Sequence, residues 1–248
     1  MNQRTNIYFA SDFHLGIPDH DTSIEREKRI VRWLYSIEED AKQIFLLGDL
    51  FDFWFEYKYV VPKGYVRLLG KLANLKDKGI DIQVFTGNHD LWMFGYFEKE
   101  LGIPVHRKPI QFEANGKKFF IGHGDGIGPG DNGYKIMKRI FNSKFNQWLF
   151  SLLHPYIAFK LGHYFSGTSR HANQEEKFLG EEKEWQILFA KDILKKEHFD
   201  YFLFGHRHIA IQIPIGENST FINLGDWISH NSYAVFDGEK MELKYFEK

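Results

Sequence analysis

Residues 44–54 read IFLLGDLFDFW. Ile44, Phe45, Leu46 and Leu47 make a short apolar run of the kind that forms a strand buried on both faces. Gly48 lets the chain turn sharply where such a strand ends. Asp49 and Asp52 then follow at once. The same order of strand, glycine or small residue, and ligand-competent side chain recurs along the chain. Ile7–Ala10 leads into Ser11, Asp12, Phe13 and His14, and Ile82–Phe85 into Thr86 and then Gly87, Asn88, His89 and Asp90. Phe119–Ile121 leads into Gly122, His123, Gly124 and Asp125, and Tyr201–Phe204 into Gly205, His206, Arg207 and His208. In open α/β sheets, sites gather at the carboxyl ends of strands, which is where each of these groups stands.

The segments between these runs have helical character. Thr22 with Glu25 forms a capping-box pattern before a helix with Ile30, Trp33, Leu34 and Ile37 on one face. Val66, Leu69, Leu72 and Leu75 have helical spacing, with Gly79 as the stop. Asn115-Gly116 predicts a hairpin between Ile110–Glu113 and Lys117–Ile121, and Asp237-Gly238 predicts another. Alternating strands and helices followed by hairpins imply an α/β fold with mixed sheets. The length of 248 residues suits a single domain over 1–248. The segment at about 133–196 lacks a clear strand and reads as a helical cap.

Bulk properties exclude several chemistries. There is no cysteine, hence no disulfide, thiolate ligand or cysteine nucleophile. The formal net charge of −1 gives no general attraction to polyanions, and no nucleic-acid partner is expected. No apolar stretch approaches the ~20 residues of a spanning helix, and no secretory signal is expected from the opening residues. Nothing in the sequence calls for an obligate protein partner.

Each motif alone is weak. An Asp beside a glycine is commonly just a turn, and a His near a loop is commonly solvated. Five such accidents in order, each at a strand end, are not a credible coincidence. Carboxylate, imidazole and amide oxygen without sulfur suit Mn, Fe(II), Zn or Mg. Two such ions ~3.5–4 Å apart can clamp a phosphoryl group and activate water, with Asp49 the candidate bridge.

In that order, Asp-x-His, Gly-Asp-x-x-Asp, Gly-Asn-His-Asp, Gly-His and Gly-His-x-His resemble the calcineurin-like metallophosphoesterases over nearly the whole chain. The resemblance implies a two-sheet α/β/β/α sandwich. It implies one divalent metal on Asp12, His14, Asp49 and His208, and a second on Asp49, Asn88, His123 and His206. His89 would face the substrate as electrophile or general acid, oriented by Asp90. The alternative for Asp90 and Asp52 is a supporting or turn role.

Further runs narrow the resemblance to the bacterial UDP-2,3-diacylglucosamine pyrophosphatases of lipid A synthesis. They are Gly48–Trp54, His123–Asp125, Asp131–Tyr134, Ser169–Asn173 and Gly225–Trp227. This implies cleavage of a lipid-linked nucleotide to UMP and 2,3-diacylglucosamine 1-phosphate, with Mn the expected metal. It also implies a cytoplasmic protein held peripherally at the inner membrane, and substrate contacts from Asp131, Tyr134, Arg170 and Asn173. The best-known of those enzymes carry Arg where this chain has His89. From Asn132 to Gln174 there is no acidic residue, while Lys135, Lys138, Arg139, Lys144, Lys160 and Arg170 are interleaved with aromatics. Such a cap suits an anionic membrane surface and acyl chains. The alternatives are a phosphodiesterase or phosphatase for a soluble phosphoester, and a non-catalytic scaffold. Scaffold versions lose ligands, whereas all seven positions are filled here.

Overall fold

The computed structural model describes residues 4–129, 132–172 and 177–247. Five strands stand where the apolar runs predict them: β1 (Asn6–Ala10), β2 (Ala41–Leu46), β3 (Asp81–Phe85), β6 (Lys117–Ile121) and β7 (Tyr201–Phe204). Between them lie β4 (Val105–His106) and β5 (Ile110–Ala114), and after them β8 (Ala210–Pro214), β9 (Thr220–Leu224), β10 (Ser232–Phe236) and β11 (Met241–Tyr245). Two mixed sheets result. The first has the order β11-β10-β1-β2-β3-β4 and the second β5-β6-β7-β9-β8. Asn115-Gly116 turns β5 into β6, and Asp237-Gly238 turns β10 into β11, both with positive φ at the glycine.

The layers follow from the period of two along each strand. Ile7, Phe9, Phe45 and Phe85 face Phe119, Ile121, Leu203 and Ile222 in the core between the sheets. Phe9 stacks on Phe45 at 5.3 Å between ring centroids. The alternate residues Tyr8, Ala10, Ile44 and Ile82 face outward onto α1 (His20–Ile37) and α2 (Val66–Asp77). On the far side Phe120, Phe202 and Phe204 receive Ile187 and Ala190 of α7 (Trp185–Leu194). Helices thus cover both outer faces, giving an α/β/β/α sandwich.

Two local expectations are corrected. The N-cap of α1 is Asp19, whose carboxylate accepts from the Thr22 backbone N–H at 2.8 Å. Thr22 sits inside the first turn, and Glu25 pairs with Lys28 at 2.6 Å instead of closing a capping box. Asp prevails because an anion at a helix start meets both the free N–H groups and the positive end of the dipole. On α2, Val66 is exposed, and the buried face is Leu68, Lys71, Leu72 and Leu75.

The segment expected as a cap also divides. Helices α4 (Asn132–Phe141), α5 (Lys144–Ser151) and α6 (Pro155–Ala172) leave much apolar surface outside, including Phe145, Trp148, Leu152, Tyr156 and Phe165. α7, inside the same expected segment, instead belongs to the sandwich, because its apolar face covers the second sheet. The cap helices rest on a separate aromatic group, Phe53, Phe55 and Trp92, which takes Phe141, Phe150 and Phe159 from above. Trp92 Nε1 donates to the Phe141 carbonyl at 2.9 Å. A Cβ at Gly162 would collide with the Phe53 ring, so only glycine lets α6 come this close. The small helix α3 (Tyr96–Glu100) buries Phe97 beneath Trp54.

Candidate metal centre

The five strand ends β1, β2, β3, β6 and β7 open on one edge of the sandwich, and their loops bring the predicted ligands together. Asp12, His14, Asp49, His206 and His208 all hold positive φ, between 44° and 69°. Non-glycine residues take that region at a cost, and such strain gathers at functional sites. The turn after each strand is thereby tight enough to bring several side chains within reach of one point.

Three groups of His and Asp converge among the described residues: Asp12 with His14 and His208, Asp49 with His123 and His206, and His14 with Asp49 and His89. His208 Nε2 lies 3.2 Å from Asp12 Oδ1, and His14 Nε2 lies 3.0 Å from His208 Nε2. Asp49 Oδ2 stands between the two halves, 3.7 Å from His14 Nε2 and 3.2 Å from His123 Nε2. Asn88 Oδ1 is 3.1 Å from His123 Nε2 and 2.7 Å from His206 Nδ1.

The donor chemistry fits a cation. His123 Nδ1 lies 2.7 Å from the Leu47 carbonyl, which can only accept, so Nδ1 carries the proton. In the neutral ring Nε2 then turns a lone pair toward a carboxylate oxygen and an amide oxygen. Three acceptors meeting at one point require a proton or a metal ion between them. Burial pulls the His123 ring down, but the Asp49, Asp12 and Asp125 carboxylates outweigh it and lift its pKa to about 10. The same field holds Asp12 and Asp49 well below the usual carboxylate range despite their burial.

Buried polar groups from the surrounding elements hold these loops. Arg26 of α1 donates to the His14 carbonyl at 2.7 Å. Its neighbour Glu27 accepts from the Arg67 and Leu68 N–H groups at 2.8 and 3.0 Å, capping α2 from outside. Gln186 and Asn223 both donate to the Gly205 carbonyl, at 3.0 and 2.7 Å. Arg207 forms a two-pronged pair with Glu184 at 3.0 Å for each prong and lies 4.8 Å over the Trp185 ring. A Cβ at Gly87 would land on the Asp49 carboxylate, so β3 can end beside β2 only with glycine there.

Asp90 does not contact the His89 ring that the resemblance has it orient. The fully buried Asp90 carboxylate accepts from Gly87 N at 2.7 Å and Leu50 N at 2.8 Å, with Asp49 N and Phe51 N each at 3.4 Å. It stitches the loop after β2 to the loop after β3. Burial and the Asp49 charge push it up to about 7, while the N–H donors at Gly87 and Leu50 pull the other way. The His89 ring finds its partners elsewhere. Its Nδ1 lies 3.1 Å from the Asp52 carbonyl and 2.9 Å from Ser166 Oγ. Burial lowers His89 to about 4, so the ring is neutral at pH 7. Asp90→Asn is expected to lower unfolding free energy by ~1–3 kcal/mol, because an amide nitrogen replaces one acceptor facing buried N–H groups. Urea denaturation measures this.

Of the expected substrate contacts, Tyr134 stands at the site, its ring centroid 6.1 Å from that of His206. Its hydroxyl donates to buried Asp125, which also receives Lys138 Nζ at 2.5 Å. Burial raises the Asp125 carboxyl, but His123 and Lys138 hold it below its ordinary value. Lys135 donates to the Gly128 carbonyl at 2.6 Å. Two of the cap's cations are thus turned inward to the loop after β6. Arg170 falls in the last turns of α6, whereas Asp131 and Asn173 lie outside the described residues. Sequence reasoning missed Ser166, His163, Arg26 and the Arg207–Glu184 pair. Only Arg207 lay inside a quoted motif.

The calcineurin-like phosphoesterase profile matches residues 5–210. UDP-2,3-diacylglucosamine hydrolase of Porphyromonas gingivalis is 40% identical, the match covering 98% of each chain. The protein of that name from Aeromonas salmonicida is 27% identical, covering 95% of this chain and 91% of that one. Among solved structures, the E. coli phosphoesterase YfcE is 14% identical with a TM-score of 0.48, covering 98% of this chain and 93% of that one. A match that runs from the first strand past the last histidine pair takes in all five strand-end motifs, and the chain belongs to the calcineurin-like phosphoesterases, which are metal-dependent hydrolases.

Proposed function

We propose that this enzyme hydrolyses the pyrophosphate of UDP-2,3-diacylglucosamine, giving UMP and 2,3-diacylglucosamine 1-phosphate. Asp12, His14, Asp49 and His208 hold one divalent ion, and Asp49, Asn88, His123 and His206 the other, with Mn the preferred metal. Together the two ions supply positive charge that polarises phosphoryl oxygens and makes water nucleophilic at neutral pH. Residues of the chain do the rest. Asp49 keeps the two halves of the centre in register, Asp90 fixes the loops that carry Asp49 and Asn88, and His89 presents Nε2 to the phosphate. Negative charge on the substrate favours the protonated ring there, which can then donate to a phosphoryl oxygen or the leaving group.

The observation that carries the substrate assignment is the exposed apolar cap seated on Phe53, next to the metal loops. Phe145, Trp148, Leu149, Leu152 and Phe165 are all more than half exposed, a surface that a water-soluble phosphoester does not require. No helix among the described residues is long and apolar enough to cross a membrane. We place the enzyme in the cytoplasm, touching the inner membrane through these side chains. With Lys135 and Lys138 drawn inward, apolar contact outweighs charge in that attachment.

The test is turnover of UDP-2,3-diacylglucosamine with Mn²⁺ beside a panel of soluble nucleotides and diesters. Each methylene removed from a buried acyl chain is expected to weaken binding by ~0.8 kcal/mol, roughly four-fold in kcat/KM. Flat dependence on chain length, with no partitioning to anionic vesicles, would transfer the assignment to a soluble phosphoester.

Metal binding should also release protons. In the metal-free protein His123 titrates at about 10 and carries a proton at pH 7. An ion on Nε2 displaces it. The release is therefore full at neutral pH and fades as pH rises through about 10. Calorimetric titrations with Mn²⁺ in buffers of different ionisation enthalpy measure it, and a heat independent of buffer would count against His123 as a ligand.

A further inference from the structure

The cap reaches the metal centre through one face of α6. Gly162 lies against the Phe53 ring, and one turn later Ser166 meets the neighbouring residue Asp52. Residues four apart share a helix face, so the contact that seats the helix and the contact that enters the site are made together. Ser166 Oγ is buried and donates to Asp52 Oδ2 at 2.8 Å. It lies 2.9 Å from His89 Nδ1, which also faces the Asp52 carbonyl at 3.1 Å. His163, on the same helix, puts Nδ1 3.6 Å from Asp52 Oδ2.

These contacts allow one arrangement of protons. A backbone carbonyl cannot donate, so His89 Nδ1 bears hydrogen. Ser166 Oγ accepts from that N–H and donates its own O–H to the Asp52 carboxylate. Nδ1 is held from two sides, and the ring stands edge-on to His14 at 4.8 Å between centroids.

We propose that Ser166 is a positioning residue for His89, brought into the site by the cap. The inference rests on the hydrolase assignment above and adds a cause for the cap's presence beyond lipid contact. With the cap seated, the Ser166 hydroxyl completes the chain from Asp52 to His89. With the cap lifted, His89 Nδ1 loses the hydroxyl, keeps the Asp52 carbonyl with a carboxylate oxygen at 3.8 Å, and its ring gains freedom to turn. Substrates that hold α6 against Phe53 therefore also aim the imidazole at their own phosphate.

Ser166→Ala and Ser166→Thr in the metal-loaded enzyme separate this role from a packing role. For Ser166→Ala, kcat should fall ~10-fold or more, as for other lost orienting hydrogen bonds, with KM and metal content roughly unchanged. Ser166→Thr keeps the hydroxyl and should restore most of the rate. In the Mg-loaded protein, NMR should find the His89 Nδ1 proton protected from exchange in wild type and Ser166→Thr, but exchanging quickly in Ser166→Ala. Wild-type kcat in Ser166→Ala, equal losses in both variants, or loss of metal in step with rate would each overturn the proposal. If the wild type itself fails to cleave the lipid nucleotide, the substrate assignment has failed. The exchange measurement needs no substrate and still decides on Ser166.

Discussion

Asp49→Ala is expected to remove turnover to the limit of detection and to lower bound metal together with it. The residue does three things at once. Oδ2 stands between His14 and His123, at 3.7 and 3.2 Å, where no other carboxylate among the described residues faces both halves of the centre. Oδ1 accepts the His89 backbone N–H at 2.8 Å and so fixes the Asn88–His89 loop. Its charge is also the largest influence raising His123 against burial. Without it, the buried His14 and His123 rings face the site with less negative charge between them, which weakens cation binding at both positions. Asp49→Asn distinguishes shape from charge, since the amide can keep the bond to His89 N while losing the charge. Elemental analysis and turnover should fall in both variants, further in alanine. A chelated and desalted wild type that retains full activity would refute a metal-based reaction altogether.

His89→Ala should lower kcat by ~10²-fold, the usual range for a lost acid–base or electrostatic group, while leaving metal content near normal. The distinction is built into the geometry. The His89 ring packs edge-on to His14 at 4.8 Å between centroids, close enough to share a substrate with the metals. Its ring hydrogen bonds, however, run to Asp52 and Ser166, not to Asp12 or His208. Metal loss in proportion to rate would instead make His89 a metal ligand beside His14 and Asp49. His89→Arg replaces the neutral ring with a fixed positive charge. Retained turnover would mean that fixed positive charge suffices, which is reasonable where the leaving group is a phosphate that needs little protonation.

What could be read from sequence was whatever is local. An apolar run, a glycine and a ligand-type side chain are neighbours in the chain, and β1, β2, β3, β6 and β7 each announced themselves that way. Asn-Gly and Asp-Gly announced their hairpins for the same reason. The resemblance then supplied the grouping of ligands, which no single motif contains. What escaped was set by packing across long separations. Asp90 sits next to His89 in the chain, but their side chains serve different partners, because adjacent residues in a loop can point apart. Ser166 carries no motif in the sequence, and only the close approach allowed by Gly162 turns it into a neighbour of Asp52. The division between α6 and α7 was likewise invisible, since both are helices rich in apolar residues. The second covers a sheet and the first does not.

The pairing of β1 has a consequence for how the protein is made. One edge of β1 pairs with β2, which follows soon after it, but the other pairs with β10, far downstream. Until 232–236 leaves the ribosome, a nascent chain carries β1 with a row of unsatisfied N–H and C=O groups, a template for strands of other chains. The histidine pair at 206 and 208 also reaches Asp12 and His14 only after long loop closure, a high contact order that slows folding. The enzyme should therefore depend on holding chaperones during synthesis and acquire its metals only after most of the chain has emerged. A ribosome stalled just before residue 232 should expose a chain that aggregates readily.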